Sequence, residues 1–136
     1  MKRTPLKRRS KSKALVDKVD RKMQNWYRSE YKGTPCEGCG KPFDLIHHCI
    51  EKSKSNFLRF NQPDNFIFLC KGCHFAIHRS GDSRVMLRVK LQRGDEWVHR
   101  LLDLERLGRG FPLTVDYLNE MDKKYTVDNS LLTNKL

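Results

Sequence analysis

The sequence predicts a small α+β domain: a strand–loop–strand–helix core stapled by a four-cysteine metal site, with one helix before it and helices after it. Three observations predict it. All five cysteines and four of the five histidines fall between Cys36 and His78. Apolar residues recur at helical steps on both sides of that stretch. With 136 residues and a mean hydropathy of −0.74, the chain can fill one thin core, and small cores of this kind often need a metal or disulfide to hold.

The elements follow in order. Residues 1–13 (MKRTPLKRRSKSK) carry seven Lys/Arg and no acid, so they have no apolar reason to fold and read as a disordered basic arm. Ala14, Leu15, Val19, Met23, Trp26 and Tyr27 mark an amphipathic helix over 14–34, stopped by Gly33 and Pro35. Trp26 and Tyr27 read as core anchors. Residues 35–80 form the central unit. Cys36-Glu37-Gly38-Cys39-Gly40 is a zinc knuckle by sequence, its glycines letting backbone N–H groups turn toward the thiolates. Asp44 to Ile50 reads as a strand with a His-His dyad near its end, and Glu51 to Pro63 as a polar loop. Asn65 to Leu69 is a second strand, feeding into Cys70–Cys73 and a helix through His78. Residues 81–125 are a strand and helical extension. Val85, Leu87, Val89 and Leu91 alternate, which favours a strand with a helix as the alternative, while Asp95–Leu107 and Val115–Tyr125 show helical spacing. The tail, 126–136, has no pattern.

No run approaches a membrane span and no apolar leader opens the chain, so a cytoplasmic protein is expected, where paired cysteines bind metal more often than they form disulfides. The formal charge of +12 is concentrated at the start, where residues 1–34 hold 12 Lys/Arg against 3 Asp/Glu. That excess suits a polyanion such as nucleic acid, although by itself it fits a solubilising tail equally well.

The chemistry lies in two ligand sets. Cys36 and Cys39, and Cys70 and Cys73, each have the spacing that places two thiolates about 2.3 Å from one ion, closing a tetrahedral four-sulfur zinc site. Such a site has no open position, so its role is structural. Cys49 is left over as a plain buried thiol. His74 and His78 share one face of a helix, whereas His47 and His48, adjacent on a strand, diverge. One imidazole of the dyad can join His74 and His78 while the other stays free. Three protein ligands leave an open position beside a free base, which outlines a phosphodiester hydrolase. The other reading of the histidines is a second structural zinc site, or no metal site at all.

The order Cys-x-x-Cys, His-His, Asn, Cys-x-x-Cys-His, x-x-x-His over 36–78 resembles the HNH endonucleases of the His-Me finger, or ββα-metal, superfamily. The resemblance implies His48 as general base, His47, His74 and His78 as ligands of one catalytic divalent ion, and Asn65 as the residue holding the base-bearing loop. The nuclease domains of the DNase colicins share the His-His start but lack the four-cysteine zinc. Many family members have Asp where this chain has His47, and an all-imidazole set suits Zn2+, Ni2+ or Mn2+ better than Mg2+. The Leu58-Arg59-Phe60 loop has a weak likeness to phage recombination nucleases, which would place the protein in host-cell cytoplasm.

The expected activity is therefore metal-dependent hydrolysis of DNA, duplex or branched, leaving 5′-phosphate and 3′-hydroxyl ends as the family does. Lys7, Arg8 and Arg9 of the arm, with Lys52, Lys54 and Arg59 of the loop, are expected on backbone phosphates, which positions a duplex without reading its sequence. The alternative is a non-catalytic zinc-finger module that binds nucleic acid, needing the cysteines and the basic arm but not the histidines.

Overall fold

Helix formation begins before the expected boundary. In the computed structural model, which describes residues 11–126, helix α1 runs Lys11–Glu30, so Lys11 to Lys13 are already helical. Lysine is a good helix former and Ala14 follows directly. Val19, Met23 and Tyr27, four apart, are its buried stripe. The expected arm residues Lys7, Arg8 and Arg9 and the tail from 127 lie outside the described residues.

Strands β1 (Leu45–His48) and β2 (Phe66–Leu69) pair antiparallel, with Leu45 opposite Leu69 and His48 opposite Phe66. Between them come a one-turn helix α2 (Phe57–Phe60) and a 3-10 turn at Pro63–Asn65. Helices α3 (Lys71–Ser80), α4 (Arg84–Arg93), α5 (Asp95–Leu107) and α6 (Val115–Lys124) follow.

A two-stranded sheet is marginal alone, and here both faces are covered. Ile46 and Phe66 pack with Val19, Met23 and Tyr27 of α1 and with Leu118 and Met121 of α6. Tyr125 closes that side, its hydroxyl donating to the Phe60 carbonyl. Ile67 and Leu69 point the other way, into Val85 and Val89 of α4 and Trp97 and Leu101 of α5. The expected polar loop thus contributes to both cores: α2 sends fully buried Leu58 to the second and fully buried Phe60 to the first.

Both sheet edges are occupied. On the β1 edge the Gln24 carboxamide donates to the Ile46 carbonyl and accepts from its N–H, both at 2.8 Å. On the β2 edge Glu37 donates its N–H to the Phe68 carbonyl, and its carboxylate accepts from the Phe68 N–H. This corrects the expected strand at 84–91. With no free edge a third strand has nowhere to pair, and the segment folds as α4, burying Val85 and Val89 at helical i, i+4 spacing while Leu87 and Leu91 stay 58% and 85% exposed. The alternation was a coincidence of two overlapping patterns.

The extension is bound to the core through Glu37. Arg93 forms a two-pronged pair with its carboxylate (2.6 and 2.8 Å) and also donates to the Phe66 carbonyl. The Trp97 indole N–H donates to the Asp64 carbonyl at 2.7 Å, and the Arg93 guanidinium lies 4.9 Å from the Trp97 ring.

Candidate metal centres and catalytic pocket

The two cysteine pairs meet where the knuckle before β1 faces the start of α3. Gly40, at φ +83°, turns the knuckle, and the Gly38 N–H donates to Cys36 Sγ at 3.3 Å. Cys70 caps α3, its sulfur accepting from the Cys73 N–H at 3.4 Å. Gly38 has a packing reason as well, since a Cβ there would lie 2.8 Å from Cys73 Sγ. All four sulfurs fall within 4.8 Å of one another, and Cys39 and Cys70 are 3.6 Å apart. The edge of a tetrahedron with 2.3 Å metal–sulfur bonds is about 3.8 Å, so the set fits one ion. The donor chemistry agrees: burial, followed by the three neighbouring thiols, pushes the Cys73 thiol far up. Four crowded sulfurs become thiolates together only around a cation. Cys49 stands outside the cluster, half-buried against the second core, its thiol raised by burial.

The dyad divides between the faces of the sheet. His47 lies opposite Ile67 and His48 opposite Phe66, and since opposed residues share a face, the two imidazoles project to opposite sides. His47 meets α3, its ring 5.4 Å from those of both His74 and His78, which are 4.3 Å from each other. One ring nitrogen from each falls within 4.8 Å of the others, close enough to converge on one ion. The pKa of His47 is lowered to about 4, first by burial and then by the other histidines, and His74 is lowered too. Both are therefore neutral near pH 7, the form that binds metal.

His48 is buried against Phe66, and its Nε2 lies 2.8 Å from the Arg59 carbonyl. A carbonyl only accepts, so Nε2 carries the proton and Nδ1 keeps a free lone pair. Burial lowers its pKa to about 4, partly offset by the Arg59 carbonyl. That differs from the ordinary value of about 6.5 expected for a free imidazole. His47, His48, His74 and His78 line one pocket of about 640 Å³ with Lys52, Glu51 and Ser53.

Asn65 is fully buried and spends its side chain on the segment after β1. Its amide donates to the carbonyls of Ile50 (3.0 Å) and Leu58 (3.2 Å), and its oxygen accepts from the Ile50 N–H (2.7 Å). Asn65→Ala leaves those three backbone groups unpaired at about 1–3 kcal/mol for each that stays dry. Urea unfolding of the variant should show a loss of about 3 kcal/mol, and a loss under about 1 kcal/mol would mean that the clip contributes little.

Two residues of α1 belong to the site without any motif to announce them. Gln24 holds β1 at Ile46, next to the dyad, and lines the pocket. Asp20 takes the Arg59 guanidinium in a paired contact (2.6 and 3.4 Å), fixing the residue whose carbonyl orients His48. The sequence signal is slight, two polar residues each next to the apolar stripe of Val19, Met23 and Tyr27. The sequence places Arg59 on a phosphate, but its side chain is 17% exposed and bound to Asp20, and it is the Arg59 carbonyl that meets His48. Lys52 borders the pocket, 3.9 Å from Asp20, and Lys54 lies in the neighbouring cleft.

The cysteine and histidine clusters, His48 and Asn65 lie within the segment matched by the family model for HNH endonucleases, residues 36–80. Residues 36–80 thus resemble an HNH endonuclease domain. A 48-residue stretch is 40% identical to a mitochondrial DNA mismatch repair protein mutS homolog of Sarcophyton glaucum, covering 33% of this chain and 5% of that protein. No solved structure matches the chain. Neither match bears on the phage-type likeness of the Leu58-Arg59-Phe60 segment. Helices α1, α4, α5 and α6 lie outside the HNH match, yet Gln24, Asp20 and Arg93 brace it from there. No helix among the described residues is long and apolar enough to cross a membrane.

Proposed function

We propose that the chain is a metal-dependent DNA endonuclease that hydrolyses phosphodiester bonds in the histidine pocket. The observation that carries this reading is the free Nδ1 of His48 in the same pocket as the converging nitrogens of His47, His74 and His78. Those three residues would hold a divalent ion, which supplies charge stabilisation at a phosphoryl oxygen and at the leaving 3′ oxygen. His48 Nδ1 takes the proton from the attacking water, while the Arg59 carbonyl holds the ring and stabilises its protonated form. Asn65 keeps the segment bearing that carbonyl in place. An incoming phosphate favours the imidazolium and so raises the proton affinity that burial has lowered. Lys52 faces the same phosphate. The four cysteines would hold a structural zinc. The DNA mismatch repair naming of the similar protein supports DNA as the substrate.

The test is nicking of supercoiled plasmid by the zinc-loaded protein, with Mn2+, Ni2+ or Mg2+ added, paired with metal counting. One firmly held zinc, a second exchangeable divalent site and nicking that needs the second ion are expected. One zinc with no second site and no nicking would leave a non-catalytic binding module.

A further inference from the structure

A second cleft opens beside the histidine pocket, and residues from outside the HNH match build one of its walls. Its volume is about 370 Å³. Ser53 lines both cavities, so they adjoin at that residue. One wall is the segment Ser53 to Asn56. The other is the turn Gly108–Pro112, which connects α5 to α6. This turn is docked tightly. A Cβ on Gly108 would lie 2.3 Å from the Phe57 ring, Gly110 sits at φ +81°, and the Phe57 and Phe111 rings are 5.5 Å apart. Asn56 donates from its amide to the Phe111 carbonyl at 3.2 Å. Arg109 is thus carried to the cleft by a backbone with little freedom.

The lining is polar, with two cations. Lys54 makes no ion pair among the described residues. Arg109 pairs with Glu105 at 3.1 and 3.2 Å, but its side chain is 71% exposed, and an exposed pair of this kind is weak enough for a phosphate to displace. We infer that this cleft binds the DNA backbone phosphate next to the one being cut, through Lys54 and Arg109, with Glu105 limiting the affinity. The inference rests on the nuclease reading, because the cleft adjoins the histidine pocket at Ser53 and a DNA backbone lying in that pocket would pass it. A backbone phosphate is a fitting occupant because the cleft offers cationic and hydroxyl donors from Lys54, Arg109, Ser53 and Ser55.

The test measures binding of a short fluorescein-labelled DNA duplex by anisotropy over a range of salt concentrations, in the full chain carrying His48→Ala so that the probe survives. Lys54→Ala and Arg109→Ala should each weaken binding about tenfold at low salt, the loss of one charged contact. Each should also make the dependence of log Kd on log salt shallower by about 0.9. Glu105→Gln should tighten binding, which a purely structural role for the Glu105–Arg109 pair would not produce. Lys123→Ala, an exposed cation on α6, serves as the control and should bind like the parent. Thermal unfolding of each variant checks that the turn still docks.

Parent-like affinity and salt slope in both cleft variants would overturn the inference, as would an equal loss in Lys123→Ala or weaker binding by Glu105→Gln. A labelled RNA of the same sequence that depends on the cleft while the DNA does not would overturn the choice of DNA. Failure of the nuclease reading looks different: cleavage is then absent from the protein with an intact His48, whatever the cleft variants do to binding.

Discussion

His48→Ala should reduce plasmid nicking by about 10²–10⁴-fold, the range associated with a positioned general base. The loss should fall on turnover, because the three imidazoles that would hold the ion come from His47, on the opposite face of the sheet, and from α3. Titration of the exchangeable metal should therefore give nearly the parent affinity in His48→Ala and a much weaker one in His47→Ala. The substitution also removes the ring packed against Phe66 and leaves the Arg59 carbonyl without its donor. A stability loss of about 1–3 kcal/mol is expected from that and is checked by urea unfolding, so that inactivity is not confused with unfolding. Nicking by His48→Ala at the parent's rate would eliminate it as the base.

Removing metal from the cysteine site should open the second core. Structural zinc contributes apparent free energies of about 10–16 kcal/mol in zinc-finger peptides, as large as the whole stability of a typical domain. Here Cys36 belongs to the cluster that holds Leu69, Val85, Val89 and Trp97, and Glu37 anchors Arg93. Losing the knuckle thus releases α4 and α5 together. Trp97, 2% exposed, reports on that side, and Trp26, packed against the first core, on the other. In a Trp26→Phe background, a strong chelator should shift Trp97 emission to longer wavelength, and zinc should reverse the shift. Cys73→Ser should show the shifted spectrum without chelator. Unchanged emission after the metal has been shown to leave would mean that the fold stands on its hydrophobic clusters alone.

Legibility in the sequence follows the range over which each constraint acts. Cys-x-x-Cys and His-x-x-x-His are local: two residues apart on a knuckle, or four apart on a helix, the side chains meet almost regardless of what surrounds them. The clustering of both the cysteines and the histidines was therefore readable, as was the need for the dyad to divide. Helices α1, α5 and α6 were readable for the same reason, their apolar stripes being periodic within one element.

Tertiary structure alone decided the rest. Which half of the dyad joins His74 and His78 depends on strand register, and the pairing of His47 with Ile67 settles the face. Segment 84–93 carries both a period-two and an i, i+4 pattern, and it became helical because Gln24 and Glu37 already occupy the sheet edges. Arg59 looked free for a phosphate until Asp20, 39 residues earlier, arrived beside it. Arg109 reaches the neighbouring cleft only because Gly108 lets the turn close on Phe57. The sequence by itself determined the cysteine and histidine clusters and their spacing. The fold decided which imidazole stands apart from the His47–His74–His78 cluster, and which distant side chains hold it in place, because those answers lie in contacts between elements that no local pattern encodes.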